Sequence, residues 1–232
     1  MQRAFYYGDL LFESISIKNG EIMLAERHFN RLLRNADIMK YELSKDFKLI
    51  EFVTQIQTAI QLSNISNKEN CRVRYTLFRY GEGFYLPMSN QTHYLIDVFE
   101  SISNYQESRL NVGIYKENYK SRGPLSNIKS GNALVYVLAS IWAKQQSLED
   151  ALLLNDLGNI IESTRANIFW TKDNICYTPP LSEGCIAGVM REEIMSKEFV
   201  IEKSCKIEDL LSAESIFLTN ALSNKKYISL SL

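Results

Sequence analysis

The sequence predicts a protein of mixed α and β structure (α+β and α/β) in two domains. Residues 10–17 alternate apolar and polar side chains as a strand does, and the Asn19-Gly20 pair that follows is typical of a tight hairpin turn. Residues 26–40 and 46–62 carry apolar side chains at helical spacing. Residues 71–79 and 93–99, which are rich in β-branched and aromatic side chains, predict two further strands.

The second half of the chain differs in character from the first. The polar stretch 117–127 contains Arg122-Gly123-Pro124 and is typical of an interdomain linker. Residues 132–146 are apolar almost all round, which predicts a buried helix. We therefore expect a smaller α+β domain over 1–116, a linker over 117–127 and a larger domain over 128–232.

Other elements of the larger domain follow from local patterns. Residues 151–155 form a short apolar run typical of a buried strand, and 168–178 predict a hairpin that turns at Lys172-Asp173-Asn174. We expect a helix over 188–199, opened by a glycine, and a strand over 215–219.

Composition excludes several classes of function. The net charge is −1, which leaves no positive surplus for a nucleic-acid backbone, and no apolar run approaches the roughly 20 residues that span a bilayer. Four widely spaced cysteines predict reduced thiols in the cytoplasm. Because the chain has two histidines, we exclude a histidine-rich metal centre and expect no metal.

Lys129 is a first candidate for chemistry. It lies where a polar segment enters a very apolar helix, and an amine in a partly dry site has a lowered pKa and becomes a usable nucleophile or base. The alternative is an ordinary surface lysine at the start of a helix.

Glu162 is a second candidate. Strand alternation predicts that its carboxylate shares a face with Ile160 and Thr164. It is then either solvated at a sheet edge or buried and paired.

An anion site is the third candidate. Gly184 and Gly188 flank a turn that feeds a helix, and the free N–H groups at a helix start favour phosphate. Arg31 is suited to grip a phosphate as well. The alternative for Arg31 is a solvated basic stripe, because Arg27 and Arg34 fall on the same helical face.

A lysine, a carboxylate and an anion site are the parts of a pyridoxal-phosphate site, and the motifs around them resemble the class IV aminotransferases. That family has the two-domain fold-type IV architecture, of the D-amino acid aminotransferase type. The resemblance keeps its order and spacing from about residue 5 to 222. It rests on nine segments, at residues 7–15, 28–32, 128–132, 150–155, 158–164, 167–170, 177–181, 188–191 and 219–222.

The resemblance implies pyridoxal 5'-phosphate as the cofactor and 128–232 as the domain that binds it. Lys129 would form the Schiff base and move the proton, and Glu162 would contact the pyridine nitrogen. The phosphate would be held by three groups, namely Arg31, the backbone amides of Val189 and Met190, and backbone contacts at Asn220 and Ala221. Relatives often carry hydroxyl side chains where this chain has Met190 and Ala221.

Two absences distinguish among family members. Branched-chain members place a tyrosine where this chain has Leu134, and D-amino acid transaminases place an Arg-x-His pair before a proline, where this chain reads Phe84-Tyr85-Leu86 before Pro87. The chain instead resembles the aminodeoxychorismate lyases, which release pyruvate and 4-aminobenzoate. A branched-chain or D-amino acid aminotransferase is the alternative.

The resemblance also implies a small amine substrate and a homodimer. Arg74 and Arg79 are the candidates for binding substrate carboxylates, although exposed strand arginines need no ligand. Both ends of the chain look short beside the family pattern. A relative that keeps the fold without turnover is therefore a further alternative.

Overall fold

A computed structural model describes residues 2–101 and 109–231 and divides them into two compact units. The first unit contains the described chain up to residue 101 together with Lys129–Asn132. The second contains the described chain from residue 109, apart from those four residues.

The first unit is a four-stranded antiparallel sheet with helices, in the strand order β2-β1-β3-β4. Its elements are α1 (Gln2–Tyr7), β1 (Leu10–Lys18), β2 (Glu21–Ile22), α2 (Ala25–Ile38), α3 (Leu49–Leu62), β3 (Cys71–Arg79) and β4 (Thr92–Glu100). The predicted strands and both predicted helices are confirmed, whereas α1 had no predicted counterpart.

The turn of the β1–β2 hairpin has the backbone conformation that its Asn-Gly pair predicts. Asn19 and Gly20 both take positive φ angles, 49° and 78°, which a two-residue hairpin turn of this hand requires. Lys18 pairs with Glu21 across the turn, which sets the register of β1 against β2.

Aromatic side chains fill the core of the first unit. The ring of Phe52 on α3 lies 5.7 Å from that of Phe29 on α2 and 4.9 Å from that of Tyr75 on β3. Phe52 and Tyr75 are fully buried. These contacts fasten both helices to one face of the sheet.

The second unit is built on an eight-stranded sheet in the order β10-β9-β8-β11-β12-β5-β6-β7. Its strands are β5 (Leu110–Lys120), β6 (Asp150–Asn155), β7 (Ile160–Ser163), β8 (Asn167–Lys172), β9 (Ile175–Thr178), β10 (Val200–Glu202), β11 (Ser215–Asn220) and β12 (Ser223–Leu230). Its helices are α4 (Leu134–Gln145), α5 (Val189–Lys197) and α6 (Ile207–Leu211).

Six strands of this sheet close into a barrel. β7 pairs with β8 through Glu162 and Asn167, so β8, β11, β12, β5, β6 and β7 form a ring. Apolar side chains fill one side of the ring, among them Leu152, Ile168 and Leu218. The β8–β9 hairpin turns at Asp173 and Asn174, as predicted.

Helix α4 differs from the prediction of a fully buried helix. Ala139 and Ala143 pack against the unit, but Leu134 is 74% exposed and Val137 is 50% exposed. Leu138 and Ile141 continue this apolar face. Helix α4 therefore packs one apolar side against the second unit and exposes the other.

The division into units differs from the predicted boundary. The polar stretch 117–127 begins inside β5 and includes a short 3-10 helix at Pro124–Ser126, so part of it belongs to the sheet of the second unit. Lys129–Asn132 instead pairs with β1, where Gly131 donates its N–H to the Leu10 carbonyl at 3.0 Å. Polarity alone did not reveal these pairings, because long-range strand contacts leave no local signature.

No helix in the part of the chain that the structure describes is long and apolar enough to cross a bilayer.

Candidate active site

Glu162 lies in β7 beside an irregularity in the strand pairing. Ile160 is opposite Leu154, while Glu162 is opposite Leu153, so two residues on β7 match one step on β6. Leu153 and Leu154 are adjacent on β6 and point to opposite faces of the sheet. Their partners Glu162 and Ile160 therefore also point to opposite faces. The predicted shared face is wrong, because strict alternation fails at a bulge.

The Glu162 carboxylate is buried and paired, as the second of the two predicted alternatives required. It is 3% exposed. Its Oε1 accepts hydrogen bonds from Lys120 Nζ and from the Tyr136 hydroxyl, each at 2.7 Å, and its Oε2 accepts one from the Ile186 N–H at 2.9 Å. An ionised carboxylate has about four acceptor positions, so this geometry leaves room at Oε2 for one more donor.

Two neighbouring groups stay protonated around this carboxylate. Burial, and then the charge of Glu162, raises the pKa of Tyr136 well above its usual range. The same two causes raise the pKa of the Cys185 thiol to about 12. Tyr136 is therefore a fixed hydrogen-bond donor near neutral pH, and Cys185 is an unreactive thiol.

A row of polar side chains crosses three strands at this point. Glu162 pairs with Asn167 on β8, and Asn167 pairs with Thr219 on β11. Asn167 Nδ2 donates to the Ile186 carbonyl at 2.9 Å, so Ile186 is held through both its N–H and its carbonyl. Glu162 and Thr219 are two strand spacings apart, or about 10 Å.

The start of α5 lies beside this row. A Cβ built on Gly188 would fall 1.9 Å from Asn167 Oδ1, so a larger residue there would displace the Asn167 side chain from its contact with Ile186. Val189 and Met190 follow as the first residues of the helix. The free N–H groups of a first helical turn, together with the positive end of the helix dipole, favour an anion.

Asn220 and Ala221 lie in the turn between β11 and β12. Asn220 Oδ1 accepts the N–H groups of Leu222 and Ser223, each at 2.9 Å, and its Nδ2 donates to the Arg165 carbonyl at 3.1 Å. The side chain of Asn220 is therefore used to hold the turn. Only the backbone groups of Asn220 and Ala221 are expected to contact a ligand.

Lys129 is placed within the first unit by its contacts with β1. Its carbonyl accepts the Phe12 N–H at 3.0 Å, and its Nζ lies 4.3 Å from the centroid of the Phe12 ring. Arg74 contacts the same ring, with its guanidinium carbon 3.8 Å from the centroid. Burial lowers the pKa of Arg74. The structure thus brings two of the predicted site residues to one aromatic ring.

Arg31 is buried in a polar cluster and is not part of a solvated stripe. Its Nε donates to Glu13 Oε1 at 2.8 Å, and a second nitrogen contacts Oε2. His28 Nδ1 lies 2.6 Å from the same Oε2. Although burial alone would raise it, Arg31 and His28 lower the pKa of Glu13 to about 2.

Glu13 and His28 are residues that sequence reasoning missed. A signal for them was present, because His28 and Arg31 are one helical turn apart on α2 and share a face. Their partner Glu13 lies on a different element, so the sequence pattern alone did not join them.

Arg79 donates hydrogen bonds to four groups of its own unit. Its Nε donates to Asp9 Oδ2 at 3.0 Å, and its two terminal nitrogens donate to the carbonyls of Lys40 and Met39, at 3.3 and 2.6 Å, and to Asn90. The guanidinium also lies over the Tyr41 ring. These contacts explain its burial without any ligand.

The sequence matches the family described as amino-transferase class IV over residues 10–226. It is 25% identical over 232 residues to an aminodeoxychorismate lyase of Vibrio harveyi, covering 95% of this chain and 82% of that protein. It is equally 25% identical over 234 residues to a branched-chain-amino-acid aminotransferase of Escherichia coli K12, covering 95% and 73%.

Solved structures show the same fold. The crystal structure of 4-amino-4-deoxychorismate lyase from Pseudomonas aeruginosa superposes with a TM-score of 0.85 at 20% identity, covering 98% of this chain and 85% of that one. The E. coli branched-chain amino acid aminotransferase gives a TM-score of 0.86 at 20% identity, covering 98% and 79%. The predicted fold-type IV architecture is confirmed, and the chain belongs to the class IV aminotransferase family of pyridoxal-phosphate-dependent enzymes.

Proposed function

We propose that this chain binds pyridoxal 5'-phosphate and acts as an aminodeoxychorismate lyase, converting 4-amino-4-deoxychorismate to pyruvate and 4-aminobenzoate. When bound, the cofactor supplies an electron sink for the carbon that loses its proton. Binding of the cofactor, binding of the substrate and movement of the proton depend on residues of this chain.

The residues of the second unit fit the cofactor. A buried carboxylate with a remaining acceptor position suits a protonated ring nitrogen, and the start of α5 suits a phosphate. Asn167 connects the two places through its contacts with Ile186 and Gly188. Glu162 would hold the proton on the ring nitrogen, with Lys120 and Tyr136 keeping the carboxylate in position.

Lys129 is the proposed attachment point and proton carrier. Its amine lies against the Phe12 ring, which excludes water from one side of it. Arg74 lies at the same ring and is the proposed contact for a substrate carboxylate.

Arg31 remains a candidate phosphate ligand, although its bonds to Glu13 commit part of the guanidinium to this carboxylate. We propose no substrate contact for Arg79.

The choice of the lyase rests first on the absence of a hydroxyl at position 134. Leu134 is apolar and 74% exposed at the start of α4, whereas the resemblance places a tyrosine there in branched-chain aminotransferases. The segment before Pro87 likewise offers no arginine or histidine. Relatives of both activities match at 25% identity, so the comparisons support each of them equally.

The first test is covalent attachment of the cofactor. Borohydride reduction and peptide mapping should place the pyridoxyl group on Lys129, and Lys129→Ala should remove both the label and the yellow colour. Lys116→Ala, a change at an exposed lysine of β5, is the matched control. A label on another lysine would contradict the assignment.

The second test separates the activities. Release of 4-aminobenzoate and pyruvate from 4-amino-4-deoxychorismate should exceed amino transfer from leucine, D-alanine or glutamate to keto acids. Steady conversion of a keto acid without an aromatic product would establish the aminotransferase alternative. Bound cofactor without either reaction would establish a relative without turnover.

We also infer that the chain forms a homodimer. Leu134, Val137, Leu138 and Ile141 form an apolar exposed stripe on α4, at the spacing of one helical face. A stripe of this kind is typical of a protein interface. Light scattering should give twice the monomer mass of 26.8 kDa, and Val137→Asp should reduce it to the monomer value.

We place the protein in the cytoplasm, as the sequence predicts. The support for this proposal is the wide spacing of the four cysteines, which is typical of thiols that stay reduced.

A further inference from the structure

Thr219 is a buried residue whose hydroxyl has no partner among the described residues. The side chain is 1% exposed, and its Oγ1 makes no hydrogen bond within residues 2–101 and 109–231. The hydroxyl of Thr178, buried in the same sheet, shows the usual arrangement by donating to the Ile168 carbonyl at 2.9 Å. Buried hydroxyls are normally paired, so the lone Oγ1 of Thr219 requires an explanation.

The direction of this hydroxyl follows from strand alternation. Phe217, two residues earlier on β11, packs against Ile194 of α5. The pairing of β11 with β8 is regular from Ser215 to Thr219, although that with β12 shifts register near Thr219. Thr219 therefore lies on the same face of β11 as Phe217 and points to the side of the sheet that α5 covers.

The neighbours of Thr219 place it near the first turn of that helix. Its partner on β8 is Asn167, which lies on the same face as Phe169, another residue packed in the α5 cluster. Asn167 contacts both Ile186 and Gly188, and Gly188 directly precedes α5. The unpaired hydroxyl thus faces a helix start with free N–H groups, and both kinds of group donate to an anion.

We propose that Thr219 donates a hydrogen bond to the phosphate of the cofactor, beside the N–H groups of Val189 and Met190. This rests on the proposed function. Met190 and Ala221, the two positions near the phosphate where relatives often carry hydroxyl side chains, have no hydroxyl to offer. Thr219 supplies a side-chain donor that those positions lack.

Replacement of Thr219 has opposite effects on the free and the loaded protein. Without ligand, Thr219→Val removes a buried polar group that has no partner, so the melting temperature should rise by about 2–4 °C. With cofactor, it removes a charge-assisted bond, so the dissociation constant for pyridoxal 5'-phosphate should rise about 10-fold to 100-fold. The dissociation constant for pyridoxal, which lacks the phosphate, should not change.

Matched variants make the comparison specific. Thr219→Ser keeps the hydroxyl and should restore binding of the phosphorylated cofactor. Thr171→Val is the control, since Thr171 lies on the same face of β8 but its hydroxyl pairs with Ser215 Oγ at 2.7 Å. It should leave the ratio of the two dissociation constants at the wild-type value.

Inorganic phosphate separates this inference from the proposed function. It should raise the melting temperature of the wild type and of Thr219→Ser, but not that of Thr219→Val. If the wild type fails to attach pyridoxal phosphate at Lys129 while this pattern holds, the proposed function is wrong and the phosphate site stands. If Thr219→Val binds pyridoxal phosphate and inorganic phosphate as the wild type does, or weakens both cofactor forms equally, the role of Thr219 is wrong. The role of Thr219 is also wrong if the wild type binds neither pyridoxal phosphate nor inorganic phosphate.

Discussion

Arg79 and Arg74 lie on the same strand, β3, and the sequence pointed to both as substrate ligands, yet their surroundings differ sharply. Arg79 is bonded to Asp9, to two backbone carbonyls and to Asn90. Arg74 lies on the ring of Phe12, which Lys129 also contacts. Arg79 donates to four groups of its own unit and stabilises the fold. Arg74 lies on an aromatic ring with Asp97 as its acidic neighbour, and its contact with a substrate carboxylate is our proposal.

Arg31 is intermediate between the two, because it is bonded within its own unit and is also a candidate ligand for phosphate. It is 4% exposed and bonded to Glu13, like a structural arginine, but it lies in a motif that the family resemblance connects with phosphate. The three arginines should therefore respond to substitution in different measurable quantities.

The largest effect is expected at Arg79. Arg79→Met should lower the free energy of unfolding by about 3–5 kcal/mol, because it leaves the buried Asp9 carboxylate with one cation fewer and two carbonyls without a donor. Urea denaturation measures this loss. Stability within about 0.5 kcal/mol of the wild type would show that Arg79 is not structural and would return it to the candidates for substrate binding.

The Glu13 cluster should give an intermediate, pH-dependent effect. The pKa of Glu13 falls from 4.5 to about 2 in the folded protein, so its contribution to stability is fully present above pH 4.5 and is lost as the pH falls toward 2. A shift of this size corresponds to about 3 kcal/mol. Denaturation of the wild type and of Glu13→Gln at a series of pH values measures it.

The two Glu13 stability curves should converge near pH 2. Parallel curves between pH 4.5 and 2 would mean that Glu13 does not titrate as its contacts with Arg31 and His28 require.

The smallest effect on stability, and the most selective effect on catalysis, is expected at Arg74. Arg74→Met keeps the length of the side chain and should raise KM by about 10-fold to 100-fold through the loss of one charge-assisted bond to the substrate carboxylate. Unfolding free energy should change little. Arg72→Met, at a neighbouring arginine that lies over Phe99, is the control. Equal KM values for the two variants would remove Arg74 from the site.

The sequence was sufficient for elements whose cause is local. The hairpin turns at Asn19-Gly20 and Asp173-Asn174 depend on residues that tolerate positive φ, and the helices α2 and α3 depend on periodic apolar side chains. Glu162 and Lys129 were likewise recognised from their motifs, and their roles stay predictions.

Features that arise from pairing between distant segments were not predictable in this way. The bulge that turns Glu162 away from the face of Ile160 depends on how β6 and β7 align. The partners Lys120 and Tyr136 come from other elements, as do those of Arg79. The exposed face of α4 could not be predicted, because the spacing of apolar residues does not show whether an apolar surface is buried or exposed.

The membership of Lys129–Asn132 in the first unit has a consequence for how this protein is inherited and produced. The four residues pair with β1, although the chain on both sides of them belongs to the second unit. A gene fragment that encodes only the N-terminal part would lack this tetrapeptide, and one that encodes only the C-terminal part would leave it without its partner strand. The two units are therefore not modules that recombination can exchange by a single cut, and we expect them to be gained, lost and expressed as one piece.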